Sequence, residues 1–394
     1  MERFDAIVVG AGPAGSVTAI HLVRGGARVL LVDKARFPRD KPCGGGLTMR
    51  AVRELPVSVE PVVEHVVDRM GLRLNYGKRI DRRGSAPLVL MTQRLRLDQH
   101  LVLEAAAVGA DVRDGVRVTD VSAGESAVTA RVDGELVAGT VLVGADGVNG
   151  PVRKVLKLGG EYVLGVALEG NVTNDVVGDR YRGVAELELG VVPGGYGWVF
   201  PKGDHVNVGV GGWEREGPTL RGRLAELCRE HCIPPDAVVS IRGHRLPLRK
   251  PGSIAARGRA LLVGDAAGLV DPLSGDGMYE AFVSARLASA GIVDLLEGRV
   301  ESLDGYSLAL ARELSQLASA SWGAKIALDR YPRATFALGR SKLAWRVMER
   351  MLRGDIRAPS QARGLTRVPL KGIEALARRA GDPGRLFRVE ATPA

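Results

Sequence analysis

Apolar residues along this chain recur with two different periods, and the places where the period changes outline its elements. Asp5–Val9 (DAIVV) is a short β-rich run that stops at Gly10, and a helical pattern follows from Pro13 to Gly25. Arg28–Val32 (RVLLV) reads as a second buried strand, closed by Asp33. Strand, turn, helix and strand in that order predict a βαβ opening. Phe37–Thr48 (FPRDKPCGGGLT) is too rich in Gly and Pro for regular structure. Leu97, Leu101 and Ala105 recur at fourfold spacing and predict a helix over Leu95–Val108, with short strands between Asp111 and Val143. Tyr162–Trp213 holds four β-rich runs separated by turns, which predicts an antiparallel sheet. A helix over about 219–231, a buried strand at Ala260–Val263, a long helix to about Leu296 and a helical, basic end complete the pattern.

Composition narrows the class. The chain has 394 residues, 45% hydrophobic and 25% charged, enough for two packed domains that need neither metal nor disulfide to fold. No apolar stretch approaches the roughly 20 residues of a membrane-spanning helix, and MERFDAIVVG reads as a strand rather than a signal peptide. Three cysteines fit a reducing, cytoplasmic setting. Two of them, Cys228 and Cys232, flank His231, but with it they fall short of the usual four zinc ligands. They are expected to be buried helix cysteines, with no metal. The net charge of +10 is concentrated: residues 330–385 carry fourteen Lys/Arg against four acidic residues, leaving the rest near neutral. That pattern predicts a basic C-terminal appendage and no nucleic-acid-binding body.

The turn after the first strand is Gly10-Ala11-Gly12-Pro13-Ala14-Gly15, a GxGxxG sequence between a strand and a helix. Gly10 permits the tight turn, Gly12 lets a pyrophosphate approach the backbone, and Gly15 allows close helix–strand packing. Asp33 ends the second strand, where a carboxylate accepts hydrogen bonds from an adenosine ribose. Together they predict dinucleotide binding, with the acidic residue favouring FAD or NAD over NADP. Gly264-Asp265 follows a buried strand and precedes a helix that begins after Gly275-Asp276-Gly277. A carboxylate there suits flavin ribityl hydroxyls, and a helix N-terminus suits negative charge on a reduced flavin ring. Tyr196, Trp198 and Phe200 share one face of a strand, either as an aromatic wall for an apolar channel or as ordinary sheet core. Lys202 and His205 read as turn residues.

GAGPAG, VGADGVNG and VGDAAGLVDPLSGDG together resemble the FAD-dependent oxidoreductases of the p-hydroxybenzoate hydroxylase fold. KPCGGGL (Lys41–Leu47) and PGGYGWVFPKGDHVNVGVGG (Pro193–Gly212) resemble the geranylgeranyl reductase family within that group, over residues 1 to about 300. The resemblance implies a mixed α/β (α+β) fold. A Rossmann-like FAD-binding domain is expected over 1–160 and 255–300, an antiparallel-sheet substrate domain over 161–254, and a helical C-terminal region over 301–394. It further implies FAD contacts at Ala14, Asp33 and Arg94, an approach to the flavin ring by Cys43, Gly44 and Gly46, and a second FAD motif at Asp265, Gly277 and Met278. Met278 stands where Ile is expected, and Ala285-Arg286 where Gly is expected.

The implied activity is reduction of carbon–carbon double bonds in a prenyl or other apolar polyene, with Cys43, Tyr196 and Trp198 as catalytic residues. A flavin monooxygenase or halogenase on the same fold is the alternative. No separate NAD(P)H domain is visible, so electrons are expected from NAD(P)H bound transiently or from a reduced ferredoxin-like protein. Thr335–Arg353 reads as one amphipathic helix in which Leu343, Val347 and Met351 align, with Arg346 and Arg350 among its cations. It fits either an anionic membrane surface, making the protein peripheral, or a docked helix with a solvated face.

Overall fold

The computed structural model describes residues 1–160 and 162–381; the end of the predicted C-terminal region, 382–394, lies outside them. Its largest core is built on a sheet whose described strands run in the order Ala256–Arg257, Ala260–Leu262, Glu135–Gly144, Arg3–Val9, Val29–Asp33 and Asp111–Asp114. The last five of these pair in parallel. A parallel sheet needs cover on both faces, and Ile7, Val8, Leu30, Leu31 and Val141–Val143 are fully buried. Val128–Val132 and Val118–Ala123 extend Glu135–Gly144 as an antiparallel flap.

Helix Pro13–Arg24 starts with Gly12 at its N-cap and Pro13 at its first position, where a missing N–H costs nothing. It packs so closely on helix Met278–Leu296 that Ser289 Oγ donates to Thr18 O at 3.3 Å. The two glycine motifs are thereby fixed side by side although about 250 residues separate them.

The second sheet runs Val239–Leu248, Val163–Thr173, His205–Trp213, Tyr196–Pro201, Val184–Leu189, Arg69–Leu74 and Ile80–Arg83. Two of these strands precede residue 161, so the sheet draws on more of the chain than the expected 161–254. It is also not wholly antiparallel, because Val184–Leu189 pairs with Arg69–Leu74 in parallel. Gly46–Thr48, expected to be irregular, forms a short strand against Val89–Met91. Open backbone groups at the end of that glycine loop are satisfied by a strand from elsewhere in the chain.

The amphipathic segment is two helices, not one. Pro332–Gly339 ends and Lys342–Arg353 restarts at Ser341, whose side chain caps Ala344 N at 3.1 Å. The apolar face of the second helix is already occupied. Trp345 donates to Arg83 O at 3.3 Å and packs with Phe200 and Leu352, while Val347 is buried against Ile356 and Ala362. Arg346 and Arg350 face outward. No helix among the described residues is long and apolar enough to cross a membrane.

Candidate active site

A cavity of about 660 Å³ begins at the first glycine motif and passes between the two sheets. Gly10 has φ +105°, and a Cβ there would lie 2.3 Å from Ala145 O. At Gly15 a Cβ would meet Gly10 O at 1.9 Å, so both positions exclude any larger residue. Gly12 is different, because a Cβ there would meet only Arg39 Nη2 at 3.4 Å and Arg94 Nη2 at 3.8 Å. Its open side faces two guanidinium groups at a helix N-terminus, a setting for a pyrophosphate. Arg94 is locked by bonds of 2.6 and 2.7 Å to the fully buried Asp98, which also pairs with Arg39 at 3.0 Å. Arg39 is a residue the motif reading missed. Asp33 accepts Ala11 N–H at 2.8 Å and Ala35 N–H at 2.9 Å, which aims its carboxylate at the cavity edge. Ala14 is buried on the same wall.

The second motif faces the first. Gly277 caps helix Met278–Leu296, and Met278 N–H is taken by Asp276 Oδ1 at 2.8 Å. Met278 is buried in the main core, where its greater flexibility than Ile fits the same space. Ala285 is fully buried, while Arg286 leaves the core for Glu54 at 2.7 Å. Asp265 is also in the cavity wall. Burial alone would raise its pKa, but Lys41 at 3.5 Å and His244 at 3.9 Å hold its carboxyl well below the usual carboxylate range.

The Cys-Gly-Gly loop is clamped from three directions. Cys43 N–H donates to Glu169 Oε1 at 2.6 Å, and Gly45 N–H points at Cys43 Sγ at 3.4 Å. Gly45 adopts φ +68°, and a Cβ on it would sit 2.0 Å from Thr92 O. Gly44 lies against the Phe200 ring, 3.1 Å from where its Cβ would be. Lys202 stands in the turn between Tyr196–Pro201 and His205–Trp213, its N–H bonded to His205 O at 2.8 Å, but its side chain turns inward. It is 3% exposed, and its Nζ donates to Gly44 O at 2.5 Å and Thr92 O at 2.7 Å, with burial pulling its pKa down to about 8. His205, by contrast, pairs with Asp204 at 2.7 Å away from the cavity.

Tyr196, Trp198 and Phe200 do form a wall, with ring centroids 5.9 and 6.1 Å apart. The intervening Val199 points into the core behind the strand. Space for the wall comes from the neighbouring strand, where a Cβ on Gly209 would lie 2.1 Å from the Trp198 ring. Trp198 Nε1 donates to Asn207 Oδ1 at 2.8 Å, and Tyr196 donates its hydroxyl hydrogen to Ser274 O. Glu169 was also missed by motif reading. A signal existed: Gly165, Ala167 and Glu169 alternate along one strand, share its face and line the cavity. Burial raises the Glu169 pKa, against the opposing pull of the Cys43 N–H and Lys202.

The residues present fit FAD. Besides the glycine cradle, four buried side-chain atoms of the wall, Thr48 Oγ1, Asp146 Oδ1, His244 Nε2 and Asp276 Oδ2, lack a hydrogen-bond partner among the described residues. Buried polar atoms left so are costly unless a ligand or water meets them. The Cys228–Cys232 segment lies elsewhere. Cys228 is buried, with its thiol pushed up to about 11, but Cys232 is exposed just past the helix end, contrary to expectation. His231 is held between Tyr181 Oη at 3.1 Å and Glu188 Oε1 at 2.9 Å.

Comparison with known proteins places the chain among FAD-binding proteins. The family described as FAD binding domain matches residues 3–311. A menaquinone reductase of Mycolicibacterium smegmatis is 35% identical over 323 residues, covering 74% of this chain and 78% of that protein. A chloroplastic geranylgeranyl diphosphate reductase of Nicotiana tabacum is 30% identical over 307 residues, 73% of this chain and 65% of that protein. Among solved structures, a geranylgeranyl bacteriochlorophyll reductase-like protein of Thermoplasma acidophilum superposes with a TM-score of 0.77 at 23% identity, covering 95% of this chain and 96% of that one. The flavin-dependent brominase Bmp2 shares the fold at a TM-score of 0.75 and 18% identity, covering 96% of this chain and all of that one. Fold alone therefore does not choose the chemistry.

Proposed function

The chain belongs to the geranylgeranyl reductase family of FAD-dependent oxidoreductases, and from that premise we propose that it saturates carbon–carbon double bonds in a prenyl chain. The observation that carries this reading is the continuity of the dinucleotide cradle with an apolar, aromatic-walled cavity through the Cys43–Gly46 loop. Gly10, Gly12, Gly15, Ala14, Asp33 and Arg94 would hold the adenosine diphosphate half of FAD, with Arg39 beside them. Asp265, Gly277, Met278, Cys43, Gly44 and Gly46 would hold the flavin half. When bound and reduced, FAD supplies the hydride for one alkene carbon.

The protein's part is orientation, exclusion of water and delivery of a proton to the other carbon. An isolated alkene accepts hydride poorly, so a positioned acid matters. Cys43 and Glu169 form that acidic pair in our reading. Burial makes Glu169 keep its proton more firmly than a solvated carboxyl, against the pull of Cys43 N–H, Lys202 and Asn207. Tyr196 and Trp198 have their hydrogens committed to Ser274 and Asn207, which suits them to position the chain.

Electrons would come from NAD(P)H or a reduced ferredoxin-like protein. With Trp345 and Val347 docked, the helix Lys342–Arg353 would meet an anionic membrane surface mainly through the charges of Arg346 and Arg350. The test is anaerobic photoreduction of the bound flavin, followed by prenyl alkenes and by oxygen in separate mixtures. Reoxidation by alkene with a saturated product is expected. Reoxidation by oxygen alone, with a hydroxylated or halogenated product, would replace this reading by the monooxygenase or halogenase alternative.

A further inference from the structure

The row of Tyr196, Trp198 and Phe200 has a fourth member at the same spacing, just past the strand end. Lys202 follows Phe200 by two residues, so its side chain leaves on the same side of the sheet, where the Cys43–Gly46 loop crosses. Gly44 and Gly45 line the cavity, and the ammonium is seated behind them. Its Nζ donates to Gly44 O and Thr92 O, and Thr92 N–H in turn donates to Gly45 O at 2.9 Å. A Cβ on Gly45 would lie 2.1 Å from Lys202 Nζ, so the charge lies directly against the loop backbone. Two neutral carbonyls take two of the three ammonium hydrogens, and neither cancels the charge.

Three titratable groups face this ammonium: Cys43 in the loop, Glu64 just ahead of strand His65–Val67, and Glu169 on Val163–Thr173. Glu64 shares its charge with Arg96 at 3.2 Å and accepts Gln93 Nε2–H at 2.8 Å. Burial makes Glu169 hold its proton more firmly than a solvated carboxyl. On the cavity side, Lys41 and Arg94 are paired with Asp265 and Asp98. Lys202 therefore keeps a positive charge behind the loop that its neighbours do not use up. Buried charge acts through a medium less polarisable than water, so its field reaches across the loop into the cavity.

We propose that Lys202 is a positioning residue for the flavin: it fixes the loop through Gly44, and its charge favours the reduced ring over the oxidised one. This rests on the placement of the flavin half beside the Cys43–Gly46 loop and not on which substrate is reduced. Reduction adds negative charge to the ring, and a positive charge held nearby in a dry setting stabilises that form. Linkage requires the converse, that reduction strengthens proton binding at Lys202. Burial lowers the Lys202 pKa to about 8, against the pull of Cys43, Glu64 and Glu169. Below that value the ammonium is charged before and after reduction. Above it, two electrons reach the flavin from the donor and one further proton passes from solvent to Nζ, to leave again on reoxidation.

The test measures the midpoint potential of the flavin in the holoenzyme against reference dyes, anaerobically and as a function of pH. In the wild type the potential should fall more steeply above about pH 8, where the further proton is taken up. Lys202→Met and Lys202→Gln should both make reduction less favourable at neutral pH by about tenfold or more, which is about 30 mV for a two-electron couple. Both should also lose the steeper limb. Gln keeps a donor for one carbonyl, so a clamp without a charge effect would leave its potential at the wild-type value. Lys202→Arg, which keeps the charge, should stay within about threefold of the wild type. A wild-type potential with a single slope across pH 8 would overturn the assignment whether or not the variants fold. So would an unchanged potential in Lys202→Gln. No alkene enters this measurement, so failure of the alkene reaction would remove the proposed function and leave this result standing.

Discussion

Glu169 Oε1 accepts the backbone N–H of Cys43 at 2.6 Å, joining the second sheet to the glycine loop across 126 residues of sequence. The bond closes the seam between the two halves of the cavity and sets the Glu169 carboxyl against the backbone of the Cys43 loop. Removing either side chain should therefore affect proton delivery before it affects flavin binding.

Cys43→Ser should retain FAD and its reduction by dithionite but slow alkene-dependent reoxidation by at least about tenfold, since a positioned acid contributes roughly 100- to 10,000-fold. Stopped-flow absorbance under anaerobic conditions measures both steps. A wild-type rate would make Cys43 a packing residue only.

Burial raises the pKa of Glu169, so its acid form persists to higher pH than that of a solvated carboxyl. If that acid supplies the proton, alkene-dependent reoxidation should decline as pH rises through the raised value. Glu169→Gln should be slower and lack that limb of the profile. Identical profiles for the variant and the wild type would assign the limb to another group.

Asp265→Ala should weaken FAD binding by about tenfold or more, the loss of a charged acceptor being worth roughly 1.5–3 kcal/mol. Lys41, 3.5 Å away, loses its counter-charge in the same variant. Equilibrium dialysis of the flavin reads the effect, and unchanged affinity would dissociate Asp265 from the cofactor.

Gly209→Ala puts a methyl where the Trp198 ring lies 2.1 Å away. The ring must turn into the cavity or the strands must part, at about 1–3 kcal/mol of overpacking. A lower Tm and a higher KM for the alkene are expected, with FAD affinity preserved. A variant with native Tm and KM would show that the wall is less tightly packed than these distances imply.

Arg346→Glu combined with Arg350→Glu should abolish any association with anionic vesicles and spare activity on detergent-dispersed substrate, because each cation near such a surface contributes about 1 kcal/mol. With Trp345 and Val347 already buried, that association should vanish in high salt. Vesicle binding that survives both the substitutions and salt would require an apolar contact elsewhere.

What the sequence determined by itself was much of what is governed by neighbours a few residues apart. GAGPAG between a strand and a helix, Asp33 at a strand end and the shared face of Tyr196, Trp198 and Phe200 follow from backbone geometry and a period of two, and each stands where that geometry puts it. Tertiary structure decided the rest, through contacts between distant segments. Lys202 looks like a turn lysine until its ammonium is found under Gly44 and Thr92, 158 and 110 residues away. Arg69–Leu74 joins the second sheet by a parallel pairing that no local pattern specifies. The basic amphipathic helix could have met a membrane or a protein surface equally well. Its apolar stripe went to Phe200, Ile356 and Ala362 because burial against the same chain needs no partner and removes that surface from water as the protein folds. Periodicity reports that a face is apolar, and only the assembled fold supplies what covers it.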